Sequence, residues 1–278
     1  MFESEQITSE QAIHSIIEHT KHLVAIAIKN RGNDKPPFLT EEYARLLGVK
    51  NIIRTDLGKT SGLLLRFRDG PVIKINKNHN ISRQNFSFAH ELGHILFSNL
   101  KLEKYIKSIE YRTNNPQKKI QVRYTARERL CDAAATELLM PESVFIKYLL
   151  GFGVSIYSLE RLSKIFGVSI KSTAIRIAEV SPEPCVALAW KPSTKNDILR
   201  LDWCTGPGLK LVNRIPYKPQ YSRVKPPSTL HSAFSQNEYV KCHRSFKFGT
   251  ELKSLPTESK GYGSGENRFV ISLAFPER

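Results

Sequence analysis

Two histidines and a glutamate at fixed spacing, His90-Glu91-Leu92-Gly93-His94, are the residues in this chain best suited to chemistry. On a helix, positions i and i+4 project from one face about one turn apart, so both imidazoles can reach a single metal ion. Glu91 lies roughly 100° round the axis. That angle lets its carboxylate miss the ion and meet a water beside it. Two neutral nitrogens for zinc (Zn2+) and one carboxylate for proton transfer are what metal-assisted hydrolysis requires. The pattern alone is short and fits two surface histidines as well. Its neighbours Phe86, Phe88, Ala89, Leu92, Ile95, Leu96 and Phe97 are apolar. A helix so flanked is buried, and buried polar groups must be satisfied. Ser82 is the expected N-cap of a helix over 83–98.

A hydrolytic zinc site takes three protein ligands and keeps one open position. The third is sought in a second helix, expected from about Val122 to Leu139 and ended by Met140-Pro141. Within it Glu128 and Asp132 share a face at i and i+4. Glu128 is the candidate ligand. Asp132, one turn on, could hold the far nitrogen of a ligating histidine and fix its tautomer. Glu137 competes with Glu128 but faces another way and has no acidic partner at i+4. Ala133, Ala134 and Ala135 are small enough for another helix to approach closely.

Other elements must carry these residues. Ile13, Ile16, Ile17, Leu23, Val24 and Ile28 form an apolar stripe, which predicts a helix over 8–30 capped by Thr8 or Ser9. His14, His19 and His22 on it read as surface or packing residues. Thr40 is expected to cap a short helix ending at Gly48. Arg68-Asp69-Gly70-Pro71 between Leu63–Phe67 and Val72–Asn76 signals a β-hairpin. Packed on the His90 helix, such a sheet could offer an edge strand to an extended peptide. Residues 99–121 read as a basic connector.

Arg83-Gln84-Asn85-Phe86-Ser87-Phe88-Ala89-His90-Glu91-Leu92-Gly93-His94, followed by Glu128-x-x-Cys131-Asp132 and Ala134-Ala135-Thr136-Glu137-Leu138-Leu139-Met140-Pro141, resembles the ImmA/IrrE family of zinc metallo-endopeptidases over about residues 40–180. The resemblance implies zinc held by His90, His94 and Glu128, with Glu91 as general base. It implies a bacterial or mobile-element protein that cleaves a helix-turn-helix repressor and so releases stress or transfer genes. Many members carry a phenylalanine and a Glu-Ala-Asn run in the second motif, where this chain has Ala134 and Leu130-Cys131-Asp132. That departure bears on the third ligand. For the developing oxyanion, Tyr124, Tyr111 and Arg176 are the candidate donors, and the sequence does not choose among them.

Residues 156–179 have the outline of a helix-turn-helix, with Gly167 in the turn and Ser169 as a cap. In the family the similar segment more often packs on the protease. After Pro182-Glu183-Pro184 the strand candidates are 186–190, 198–203 and 269–275, with a short helix near 228–236. The expected fold class is therefore α+β. A mainly helical, zincin-like domain with a small sheet (40–180) follows an N-terminal helix and loop (1–39). A β-rich domain (181–278), resembling the GAF-like sensor of some members, completes the chain.

The 278 residues carry a formal charge of +16 and a pI near 9.7. Nine Lys/Arg against three Asp/Glu fall in 101–130, and fifteen against eight in 181–278. Such an excess attracts polyanions, which makes DNA or another anionic ligand a candidate partner. The four cysteines, Cys131, Cys185, Cys204 and Cys242, form no C-x-x-C pair and suit a reducing compartment. With no signal peptide and no long apolar run, a cytoplasmic protein without a membrane span is expected. Two rival readings share these features. One is a nucleic-acid-binding regulator with a structural or vestigial metal site. The other is the protease of a toxin or antiphage system. The intact Glu91 speaks against the first, because a structural site needs no base.

Overall fold

A computed structural model describes residues 8–103, 116–193, 198–206, 223–248 and 251–276. Two compact units divide them. The first comprises Met1–Val144 with Ile165–Val168, and the second Phe145–Lys164 with Ser169–Arg278.

In the first unit, α1 (Ser9–Arg31) starts at a reciprocal capping box. Thr8 accepts from the Gln11 backbone while the Gln11 side chain accepts from Thr8. It stops at Gly32, whose left-handed φ of 72° lets its N–H close on Ile28 and Lys29. Helix α2 (Thr40–Leu46) follows. Here the expectation fails: Leu39 holds the N-cap position without a side-chain bond, and Thr40 is the first, buried helical residue. Strands β1 (Asn51–Thr55), β2 (Gly62–Phe67) and β3 (Gly70–Asn76) form one sheet in the order β1-β3-β2. The hairpin is present, with β2 antiparallel to β3 from Gly62↔Ile75 to Phe67↔Gly70. β1 joins the other side of β3 in parallel. Among the described residues β2 therefore has an unpaired edge.

Helix α3 (Ile81–Asn99) lies against β2 and β3. Its cap is Asn80, two residues earlier than expected, whose side chain accepts from Arg83 N–H. Asn and Ser are equivalent caps, so sequence preference could not choose between them. Phe88, Leu92, Leu96 and Phe97 are buried, each worth roughly 1.5–3 kcal/mol. Helix α4 (Pro116–Leu139) packs along α3. It begins six residues before the predicted Val122, so 116–121 are helical rather than connector. Proline is well tolerated in a first helical turn. Tyr43 on α2 ties α4 down through its hydroxyl, which donates to the Leu138 carbonyl at 3.1 Å.

α3 and α4 come unusually close at Gly93. A Cβ there would lie 2.8 Å from the carbonyl oxygen of Cys131 and 2.9 Å from its Cα. Both are backbone atoms that cannot swing aside. Gly93→Ala should force the helices apart at a cost of about 1–3 kcal/mol. Thermal melting would show this as a lowered Tm, with weaker metal affinity because the candidate ligands come from both helices. An unchanged melt would mean that this contact is looser than the geometry states.

Helix α5 (Glu142–Phe152) was not foreseen. Its first N–H, at Glu142, donates to the Glu137 carboxylate at 3.0 Å. Helices α6 (Ile156–Phe166) and α7 (Ile170–Val180) flank Gly167, at φ +66°, and Ser169 caps α7 as expected. In the second unit, β4 (Val186–Pro192), β5 (Leu199–Thr205), β6 (Arg223–Val224), helix α8 (Thr229–Gln236), β7 (Tyr239–Phe248), β8 (Glu251–Tyr262) and β9 (Phe269–Ala274) follow. Six strands pair antiparallel in the order β6-β5-β4-β9-β8-β7. The sequence reading missed the long β7–β8 hairpin. Val186, Leu188, Trp190, Val270 and Phe246 form a core with Leu230 and Ala233 of α8. α7 packs on β4, β5 and β9, burying Thr173, Ala174, Ile177 and Ala178. Glu258 of β8 accepts from the Ile156 N–H at the start of α6, 2.9 Å away, a carboxylate placed where a helix N-terminus favours one. Both units together give a mixed α+β protein with a small three-stranded sheet and a separate six-stranded one.

Candidate metal centre

Helix periodicity puts His90 and His94 one turn apart on α3, with ring centroids 4.9 Å apart and nearly perpendicular. Glu128 enters from α4. One donor atom each from His90, His94 and Glu128 lies within 4.8 Å of the others. The His90 Nε2 to Glu128 Oε2 distance is 3.0 Å, and the His94 Nε2 to Glu128 Oε1 distance is 3.7 Å.

The far nitrogens explain that convergence. His90 Nδ1 is 2.8 Å from Asp132 Oδ1. His94 Nδ1 is 3.2 Å from Cys131 Sγ. Both partners lie on α4, at i+4 and i+3 from Glu128, so one helix face supplies all three groups. With both Nδ1 atoms engaged, both Nε2 atoms turn to the same point. Two imidazole nitrogens and one carboxylate oxygen around a point suit a divalent transition metal, zinc among them. Asp132→Ala should weaken metal affinity about 10–100-fold, the usual cost of losing the hydrogen bond that orients a ligating histidine. A competitive titration against a chelator would measure it. Affinity equal to wild type would deny Asp132 that positioning role.

Burial disfavours protonation of His90, but the Asp132 carboxylate, with Glu128 and Glu91 nearby, outweighs it and raises its pKa. His94 behaves oppositely. Burial, then His90 and the guanidiniums of Arg127 and Arg66, push it down to about 4. It is therefore a neutral donor at physiological pH. The Cys131 thiol is pushed up chiefly by burial and stays protonated.

Glu91 is buried, 8 % exposed, and burial raises its pKa to about 7. The backbone N–H of Leu64 on the edge strand faces its carboxylate and favours the charged form, but less than burial opposes it. Gly62 leaves it room, since a Cβ there would stand 2.8 Å from Glu91 Oε1. A carboxylate poised near neutrality is well matched to proton transfer at pH 7. A cleft of about 550 Å³ opens over the cluster, bounded by Gly62, Leu63, Leu64 and Arg66 of β2, by α3, and by Arg127 and Glu128 of α4.

Glu137, the competing candidate for third ligand, does not join the cluster. Glu137 is buried and accepts at the start of α5 instead. Arg176 is buried on α7, in the second unit. Tyr111, and the side chain of Tyr124, lie outside the described residues. Gly62, Leu64, Arg66 and Arg127 were overlooked. Alternation along β2 put Gly62, Leu64 and Arg66 on one face, but nothing in the sequence said that this face meets α3.

Residues 47–178 match the model of the IrrE N-terminal-like domain (Peptidase_M78). The chain is 33 % identical over 135 residues to the radiation response metalloprotease IrrE of Deinococcus radiodurans. That match spans 46 % of this chain and 39 % of the relative. A solved structure of a Mycobacterium tuberculosis transcriptional regulator superposes with a TM-score of 0.64, covering 94 % of this chain and 76 % of that one at 16 % identity. The last likeness is one of fold.

Proposed function

We propose that the chain is a zinc-dependent endopeptidase that cleaves a protein regulator, a helix-turn-helix transcriptional repressor, in a bacterial stress or mobile-element response, a reading supported by the match of residues 47–178 to the IrrE N-terminal-like domain. The observation that carries this reading is the buried carboxylate of Glu91 beside a cluster of two imidazoles and a carboxylate. His90, His94 and Glu128 would hold the ion, and Asp132 would orient His90. An ion held there supplies Lewis acidity to the scissile carbonyl and acidifies nearby water.

The chain's own residues do the rest. The free edge of β2 takes the substrate backbone as an added strand. Glu91 removes a proton from the attacking water and delivers it to the leaving amine. The cleft walls restrict bulk water around Glu91, which keeps its pKa near the working pH. The net positive charge would favour encounter with a repressor on its DNA at low salt. The relative's radiation response supports a stress setting by similarity.

The test is to incubate the zinc-loaded chain with helix-turn-helix repressors encoded beside its gene and to follow fragments by mass spectrometry. A single defined cut, absent with chelator and with Glu91→Gln, is expected. Intact repressors throughout would refute this choice of substrate. A metal-loaded chain that cuts no protein or peptide at all would refute the peptidase reading.

A further inference from the structure

The cleft has two ends of different character. Glu91, His90 and Glu128 line one, with the Gly62–Leu64 part of β2. Arg66, Phe97, Ser98 and Arg127 line the other, past His94. Arg66 is anchored. Its Nη2 donates to the His94 carbonyl at 3.2 Å and to Ser98 Oγ at 2.7 Å. Arg127 lies over the buried Phe97 ring, 5.4 Å from its centroid. Among the described residues neither guanidinium forms an ion pair with a carboxylate, although Glu103 also borders the cleft. Each guanidinium has five N–H donors in a fork that matches a carboxylate. Arg66 spends one Nη on the helix end and Arg127 lays its guanidinium plane over Phe97, so donors are left on both.

We propose that Arg66 and Arg127 form a carboxylate-binding subsite at this end of the cleft, and that the polypeptide cut here carries an aspartate or glutamate within about three residues of its scissile bond. The distance follows from β2. Arg66 stands two residues beyond Leu64, which shares the cleft wall with Gly62 against Glu91, and an added strand advances about 3.4 Å per residue. The inference rests on the peptidase reading for its meaning, while its test separates the two.

Two labelled dodecapeptides, one with a central Glu-Glu and one with Gln-Gln, are titrated by fluorescence anisotropy into the full-length Glu91→Gln chain at physiological salt. The glutamate peptide is expected to bind at least about tenfold tighter, the scale of a charge-assisted bidentate contact. Adding Arg66→Ala and Arg127→Ala should bring the ratio to about one. Adding Lys59→Ala and Lys77→Ala instead, both exposed, should leave it unchanged. That control is needed because a chain of charge +16 attracts any acidic peptide. If losing Arg66 loosens the end of α3, Arg127→Ala alone should still reduce the ratio severalfold. Equal binding of both peptides, or an equal loss in the lysine control, overturns the proposal. In the cleavage arm a random peptide mixture is digested with metal-loaded wild type. Asp or Glu should be enriched at one position near the cut and not in the digest by the arginine double variant. Cutting without that enrichment overturns the subsite but leaves the peptidase reading intact. Acid-selective binding without any cutting does the reverse.

Discussion

Glu91→Gln is expected to abolish peptide hydrolysis, by about 10³-fold or more, while leaving one metal ion per chain. General-base removal typically costs 10²–10⁴-fold, and an amide of equal size can neither accept nor return the proton. The ion should remain because the three converging donors are His90, His94 and Glu128. Stability supplies a second readout. Burial raises the Glu91 pKa to about 7, so in chelated protein the folded state holds this proton above the pH at which an unfolded chain releases it. The sign follows. Stability is fully present below about pH 4.5 and is lost as pH rises through 7, by roughly 2–3 kcal/mol. Glutamine carries no charge and suffers no such loss. Chelated Glu91→Gln should therefore melt above chelated wild type at pH 8, and the two should converge near pH 5. Full turnover in this variant would remove Glu91 from the mechanism. A lower melt at pH 8 would mean that the carboxylate is held by more than the Leu64 N–H.

How far the sequence reached is clearest at the two helices of the site. His90, Glu91 and His94 were legible because a 3.6-residue period fixes which residues share a face. Glu128 and Asp132 were legible as a pair for the same reason. Their meeting across α3 and α4 rests on Gly93 lying over the backbone of Cys131, a tertiary contact that no local pattern encodes. Asn80 displaced Ser82 as the cap because two good capping residues stood two apart. Helix α5 was hidden by the Met140-Pro141 stop: proline ended one helix, and Glu137 capped the next from within it. β7 and β8 were missed because Lys, Ser and Pro256 interrupt their alternation, and the hydrogen-bonded neighbours that override weak propensity are far away in sequence. Arg66 and Arg127 were overlooked because only the folded chain brings β2 and α4 to the walls of one cleft.

Glu128→Ala should empty the site after dialysis, and Glu137→Ala should not. Two imidazoles alone leave a divalent ion short of the three protein ligands that hydrolytic zinc sites use. The variant also strips His90 Nε2 of its 3.0 Å partner, so the remaining pair loses both charge and alignment. Zinc content by elemental analysis should fall from one per chain to near zero, with activity falling alongside it. Added zinc at about a thousand times the wild-type Kd should raise the wild-type stability by roughly 4 kcal/mol and the Glu128→Ala stability hardly at all. Glu137→Ala makes the opposite cut. It removes the acceptor at the start of α5 and costs about 1–3 kcal/mol, yet it touches no candidate ligand, so its zinc content should match wild type. The two carboxylates stand on one helix within one motif, and either could be the third ligand by sequence. An ion retained by Glu128→Ala and lost by Glu137→Ala would reverse the assignment and, with it, the role of every group that points at Glu128.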